Sequence, residues 1–112
     1  VGLSGLRGYR LRMNPDRQQL ELCRDSAVVQ KVPFQSVPGQ WTHLRLQLRP
    51  LPGLKWAVQG KAWDESHKQP TAWTLEWTDT AKPELGQAAV WGTPLGGGPL
   101  AVDDIRLWLI EP

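Results

Sequence analysis

The chain has 112 residues, of which 40% are hydrophobic and 11 more are glycine, an ordinary globular share that excludes disorder and, at this length, a second domain. No apolar run approaches the roughly 18 residues that cross a bilayer, and no basic-then-apolar leader opens the chain, so neither a membrane span nor an unprocessed precursor is expected. Thirteen basic and eleven acidic side chains leave a net charge of +2, scattered along the chain, which argues against nucleic acid as a partner.

Pro and Gly punctuate the chain at intervals of about 6 to 12 residues, which suits strands and is short for helices. Tyr9, Leu11 and Met13 alternate with Arg10 and Arg12 up to a turn at Asn14-Pro15-Asp16. Gln19 to Phe34 reads as a hairpin broken at Arg24-Asp25-Ser26, although Leu20, Cys23 and Ala27 also fit helical spacing between Asp16 and Val32. Leu44, Leu46 and Leu48 alternate with His43, Arg45, Gln47 and Arg49, so one face is buried and the other wet. After the turn Pro50-Leu51-Pro52-Gly53, the series Leu54, Trp56, Val58, Gly60 and Ala62 gives a second amphipathic strand, paired antiparallel with the first. Trp73, Leu75 and Trp77 repeat the pattern, Gln87 to Trp91 makes a short strand, and Leu100 to Leu109 a long final one beyond a loop rich in glycine. About eight one-sided strands are most economically buried as two antiparallel layers, so residues 1–112 are read as one all-β domain, a two-layer sandwich.

Candidate chemistry is sparse. Glu76 and Asp79 lie three residues apart, on opposite faces of a strand, and are read as a solvated strand end rather than a catalytic pair. The compact turn Asp64-Glu65-Ser66-His67 is read as an exposed loop in preference to a metal site. The lone Cys23 forms neither an internal disulfide nor a cysteine metal cage. No nucleophile elbow, phosphate loop or Cys–His pairing occurs, so no enzyme activity, cofactor or metal is expected. Asp103-Asp104 falls where alternation slips from the phase of Leu100 and Val102 to that of Ile105, Leu107 and Leu109, which predicts a β-bulge with a carboxylate accepting backbone N–H bonds.

The seven tryptophans are sorted by strand phase. Trp56, Trp73 and Trp77 share the phase of Val58 and Leu75 and are core candidates. Trp41 shares the phase of His43 and Arg45, Trp63 that of Lys61, and Trp108 that of Arg106, so these three point outward. An indole lying flat offers an apolar face to a sugar or a protein partner and retains an N–H donor.

Two stretches carry a resemblance. Gly39-Gln40-Trp41-Thr42-His43-Leu44-Arg45-Leu46, followed by a turn and Trp56-Ala57-Val58-Gln59-Gly60-Lys61-Ala62-Trp63, resembles the central hairpin of laminin-G-like, concanavalin-A-like jelly rolls. Gly86 to Gly92, then Val102-Asp103-Asp104-Ile105-Arg106-Leu107, is similar to the closing strands of that superfamily, and to carboxy-terminal segments that follow pyrroloquinoline-quinone-type β-propellers in exported bacterial proteins. The resemblance implies a jelly-roll-like sandwich, or the carboxy-terminal portion of one, in an extracytoplasmic protein. It implies a non-catalytic carbohydrate-binding or accessory module, with Trp41, Trp63 and Trp108 as the binding surface and His43, Arg45 and Arg106 as polar help. The alternatives are a structural module packing against another domain of the parent chain, such as a β-propeller, or a fragment of a glycoside-hydrolase-like domain. Calcium-binding relatives leave a metal at Asp103 and Asp104 as the alternative to the bulge.

Overall fold

The strongest alternation in the sequence becomes the longest hairpin. In the computed structural model, which describes residues 1–3, 8–83, 86–92 and 99–109, β5 (Thr42–Leu51) pairs antiparallel with β6 (Lys55–Asp64) over their full ten-residue lengths. The turn closes through Gly53 (φ 79°) and Leu54 (φ 57°), two successive left-handed residues that match the twist of a tight hairpin. Leu54 was expected on the buried face, but its place in the turn leaves it 81% exposed. β7 (Leu75–Asp79) adds to β6 and completes a three-stranded sheet in the order β5-β6-β7.

The other sheet is a four-stranded meander of β1 (Gly2–Leu3), β2 (Tyr9–Asn14), β3 (Gln19–Arg24) and β4 (Ala27–Pro33). The helical alternative over 16–32 loses to a hairpin that turns at Asp25-Ser26, where Asp25 takes φ 54°. Asp is one of the few residues that tolerates that conformation. No helix occurs among the described residues, so none is long and apolar enough to cross a membrane.

The two sheets face each other through one apolar cluster. Tyr9, Leu11, Leu20 and Leu22 come from the four-stranded sheet and Val58, Ala62 and Leu75 from the three-stranded one, with Leu44, Leu46, Leu48 and Trp77 packed against them. The expected assignment of alternate positions to opposite faces therefore holds for β2, β3, β5 and β6. The architecture is all-β and sandwich-like, with two antiparallel layers.

On the outer surface of the four-stranded sheet, the β3 carboxylate Glu21 is only 2% exposed. Burial would raise its pKa, but the amide of Gln19 donates to Oε2 at 2.5 Å and Arg12 Nε donates to Oε1 at 2.7 Å. The donors prevail and hold the group below its ordinary value of 4.5.

Four further expectations are corrected. Asp79 is not a solvated strand end: it is 6% exposed, and the Tyr9 hydroxyl from the facing sheet donates to its Oδ2 at 2.6 Å. Gln87 to Trp91 makes a single bridge, Ala89 to Gly2, and not a strand, because the two-residue β1 offers only a short edge to pair with. Residues 99–109 join no ladder, so the aspartates form no bulge; Asp103 Oδ1 instead accepts the backbone N–H of Asp104, which takes φ 53°. Trp73 is not a core residue, for the reason given below. The glycine-rich loop expected before Leu100 falls largely on 93–98, outside the described residues.

Candidate functional site

The register of β5 and β6 builds rows of side chains on the face turned away from the core. His43 lies opposite Trp63, Arg45 opposite Lys61, and Gln47 opposite Gln59, which in turn lies opposite Glu76 of β7. Directly paired residues on a sheet are in side-chain contact, and each row has its own chemistry.

The first row is aromatic. The His43 and Trp63 rings stack with centroids 5.0 Å apart and planes 4° from parallel. His43 Nε2 also meets the Glu65 carboxylate, which anchors the ring from its outer end. Trp41, 50% exposed, precedes β5 and is tied to the same end by its carbonyl, which accepts the backbone N–H of Glu65 at 2.9 Å.

The second row sets two cations side by side, an arrangement that is unfavourable on its own. The loop before β7 relieves it. The Trp73 ring lies 4.5 Å from Lys61 Nζ and 5.5 Å from the Arg45 guanidinium, and the Pro70 carbonyl accepts from Lys61 Nζ at 2.6 Å. With the Gln69 amide oxygen turned inward, it accepts from Lys61 Nζ at 3.1 Å and from Arg45 Nη1 at 2.8 Å. Trp73 thus covers the outer face because residues 70–74 are a loop, in which strand parity does not govern direction. From the far end of the chain, the Trp108 ring comes within 5.5 Å of the Arg45 guanidinium. One cation is shared by two indoles, a contact worth about 0.5–2 kcal/mol depending on desolvation.

Lys61 is only 4% exposed. Burial, and then the neighbouring Arg45 charge, lower its pKa from the ordinary 10.5. An ammonium whose folded pKa is depressed binds its proton more tightly in the unfolded chain, so its contribution to stability rises with pH until the unfolded value is passed. The stability of the wild type relative to Lys61→Met is therefore expected to increase as pH rises toward 10.5, read by urea denaturation at a series of pH values. A flat difference would show that the ammonium is not desolvated.

The third row is a hydrogen-bonded ladder: Gln47 Nε2 donates to Gln59 Oε1 at 2.8 Å, and Gln59 Nε2 to Glu76 Oε2 at 3.2 Å. At the end of the hairpin, Asp64 Oδ1 accepts from the Ser66 backbone N–H at 2.9 Å and lies 2.8 Å from His67 Nδ1. The Ser66 hydroxyl and the His67 ring hold the Asp64 carboxyl below its ordinary range. Serine and aspartate both approach the same ring nitrogen, Nδ1, whereas a catalytic triad uses opposite nitrogens of the imidazole. This is a polar turn rather than a charge relay. Among the described residues no three His, Cys, Asp or Glu side chains converge to hold a metal.

Of the six residues expected to form a binding surface, His43, Arg45, Trp63 and Trp108 come together on one face, and Trp41 stands at its end. Arg106 is exposed and makes no side-chain hydrogen bond or ion pair with the described residues. Sequence reasoning missed Trp73 and the burial of Lys61, both of which depend on how a loop folds back. A separate shallow depression of ≈410 Å³ lies elsewhere, lined by Val90, Trp91, Gly92, Leu100, Val102 and Ile105. Comparison with known proteins finds no matching family model, no curated relative and no matching solved structure.

Proposed function

We propose that the chain is a non-catalytic carbohydrate-binding module of jelly-roll type whose binding face is the outer surface of β5 and β6. The observation that carries this reading is the aromatic and cationic row structure of that face, with His43 stacked on Trp63 and Arg45 shared by Trp73 and Trp108. The stacked and cation-held rings are oriented before any ligand arrives, which reduces the entropy lost on binding. Trp108 and Trp41 remain 61% and 50% exposed, leaving apolar ring surface for the C–H face of a sugar, while Gln47 and the exposed Glu76, held in place by the buried Gln59 between them, supply donors and acceptors for hydroxyls.

The test is titration with a panel of neutral and acidic glycans followed by tryptophan fluorescence. A binder is expected to shift emission, and Trp63→Ala and Trp108→Ala are each expected to weaken it by at least about tenfold, equivalent to ~1.4 kcal/mol. Silence toward every glycan, or affinity untouched by both substitutions, defeats the reading.

A second reading, a module packing against another domain of a larger exported protein, is favoured by the depression beside Trp91. Val90 and Trp91 are 40% and 42% exposed, and Leu100 and Val102 are 54% and 51% exposed, an apolar cluster of the kind that marks protein contacts. In that case acrylamide quenches Trp91 in the 112-residue chain, and the quenching falls when the chain is carried within its longer parent.

A further inference from the structure

The ten-residue β5 is an edge strand. It pairs with β6 on one side and with no strand on the other among the described residues. A long open edge presents a row of unpaired N–H and C=O groups and readily accepts another strand. Its inward leucines are also incompletely covered: Leu44, Leu46 and Leu48 pack against the core cluster but stay only partly buried.

The same chain carries a segment of matching chemistry. Ile105, Leu107 and Leu109 occupy alternate positions and are 69%, 69% and 98% exposed, a costly arrangement for three large apolar side chains. Arg106 and Trp108 lie between them. The Trp108 ring already rests over the Arg45 guanidinium, on the outer face of β5. Because alternate residues of a strand point to opposite faces, any strand that presents Trp108 to the outer face beside Arg45 presents Ile105, Leu107 and Leu109 to the inner one. There they would lie beside Leu44, Leu46 and Leu48.

We propose that Ile105–Leu109 is a closing strand that docks on the open edge of β5, converting the three-stranded sheet to four strands and sealing the core. The Trp108–Arg45 contact is its first point of attachment, and the segment moves between the free arrangement and the docked one. Docking leaves Trp108 and Arg106 on the outer face and removes Ile105 from the depression near Trp91. The inference stands apart from the nature of any ligand, since it concerns backbone pairing and inner-face packing alone.

Hydrogen exchange on the 112-residue chain, read peptide by peptide, tests it. Amides of 105–109 are expected to exchange at least about tenfold more slowly than in an unstructured peptide. Leu107→Asp is expected to abolish that protection and to weaken protection in β5, while amides of β2 and β3 remain slow and certify that the fold persists. Arg106→Asp, one residue away in the opposite phase, is expected to leave protection in place. Exchange of 105–109 at peptide rates overturns the proposal. So does an equal response to the two aspartates, since the phase argument then fails. Protection that disappears on dilution also overturns it, because the strand would then belong to a second copy of the chain.

Discussion

Asp79→Ala is expected to lower the free energy of unfolding by about 3–5 kcal/mol, measured by urea denaturation, because it breaks a buried charged pair from one side only. The carboxylate joins the two layers. Tyr9, fully buried on β2, donates its hydroxyl to Oδ2 at 2.6 Å, Arg24 Nε of β3 approaches the same oxygen at 3.3 Å, and Oδ1 accepts the Ala81 backbone N–H at 2.9 Å. The Arg24 guanidinium also lies 4.8 Å from the Tyr9 ring centroid, and its Nη1 is already buried with no hydrogen-bond partner among the described residues. Removing Asp79 therefore leaves a guanidinium whose side chain is only 20% exposed without its carboxylate partner. Tyr9→Phe removes one hydrogen bond while Arg24 stays paired, and its expected cost is smaller, about 1–2 kcal/mol. Near-equal losses for the two variants would show that Asp79 does not neutralise Arg24.

The same cluster predicts an alkaline limit. Burial, and then the bond to Asp79, push the Tyr9 phenol well above its ordinary 10.0. A group whose proton is held more tightly in the folded state contributes stability that is complete below the unfolded pKa and is lost as pH climbs above it. Wild-type stability is thus expected to fall above pH 10 more steeply than that of Tyr9→Phe.

Much of the layered arrangement was legible because strand parity is a local property. Leu11 and Leu22 pair across β2 and β3, and Leu46, Gly60 and Leu75 align across β5, β6 and β7, as alternation alone implies. The outward placement of His43, Arg45 and Trp63 follows from the same rule. Parity fails where no ladder exists. Trp73 precedes β7, and its direction is set by two cations on two strands, Arg45 of β5 and Lys61 of β6. Asp79 reads as a surface carboxylate because nothing near it in sequence reveals Tyr9 and Arg24, 70 and 55 positions away. β1 is too short to carry a periodic signal and depends on β2 for its existence.

Gly60→Val separates strand propensity from packing by the sign of its effect. Valine is favoured over glycine in a strand by up to about 1 kcal/mol, and Gly60 lies mid-ladder between Leu46 and Leu75. Propensity alone predicts stabilisation. However, a Cβ at Gly60 would stand 2.7 Å from Leu11 Cδ1, a side chain from the opposite sheet that is itself fully buried. The leucine has nowhere to retreat in a close-packed interior, and forcing extra volume into such a site costs about 1–3 kcal/mol. Packing prevails, and Gly60→Val is expected to be destabilising by urea denaturation. Leu11→Ala alone empties the same space and is expected to cost about 2–5 kcal/mol. Because the added valine methyls occupy the volume that the leucine vacates, the double variant is expected to be more stable than the sum of the two losses predicts, by a coupling of about 0.5–3 kcal/mol. Strict additivity would mean that Gly60 and Leu11 do not meet across the layers, and the face-to-face packing of the two sheets would fail with it.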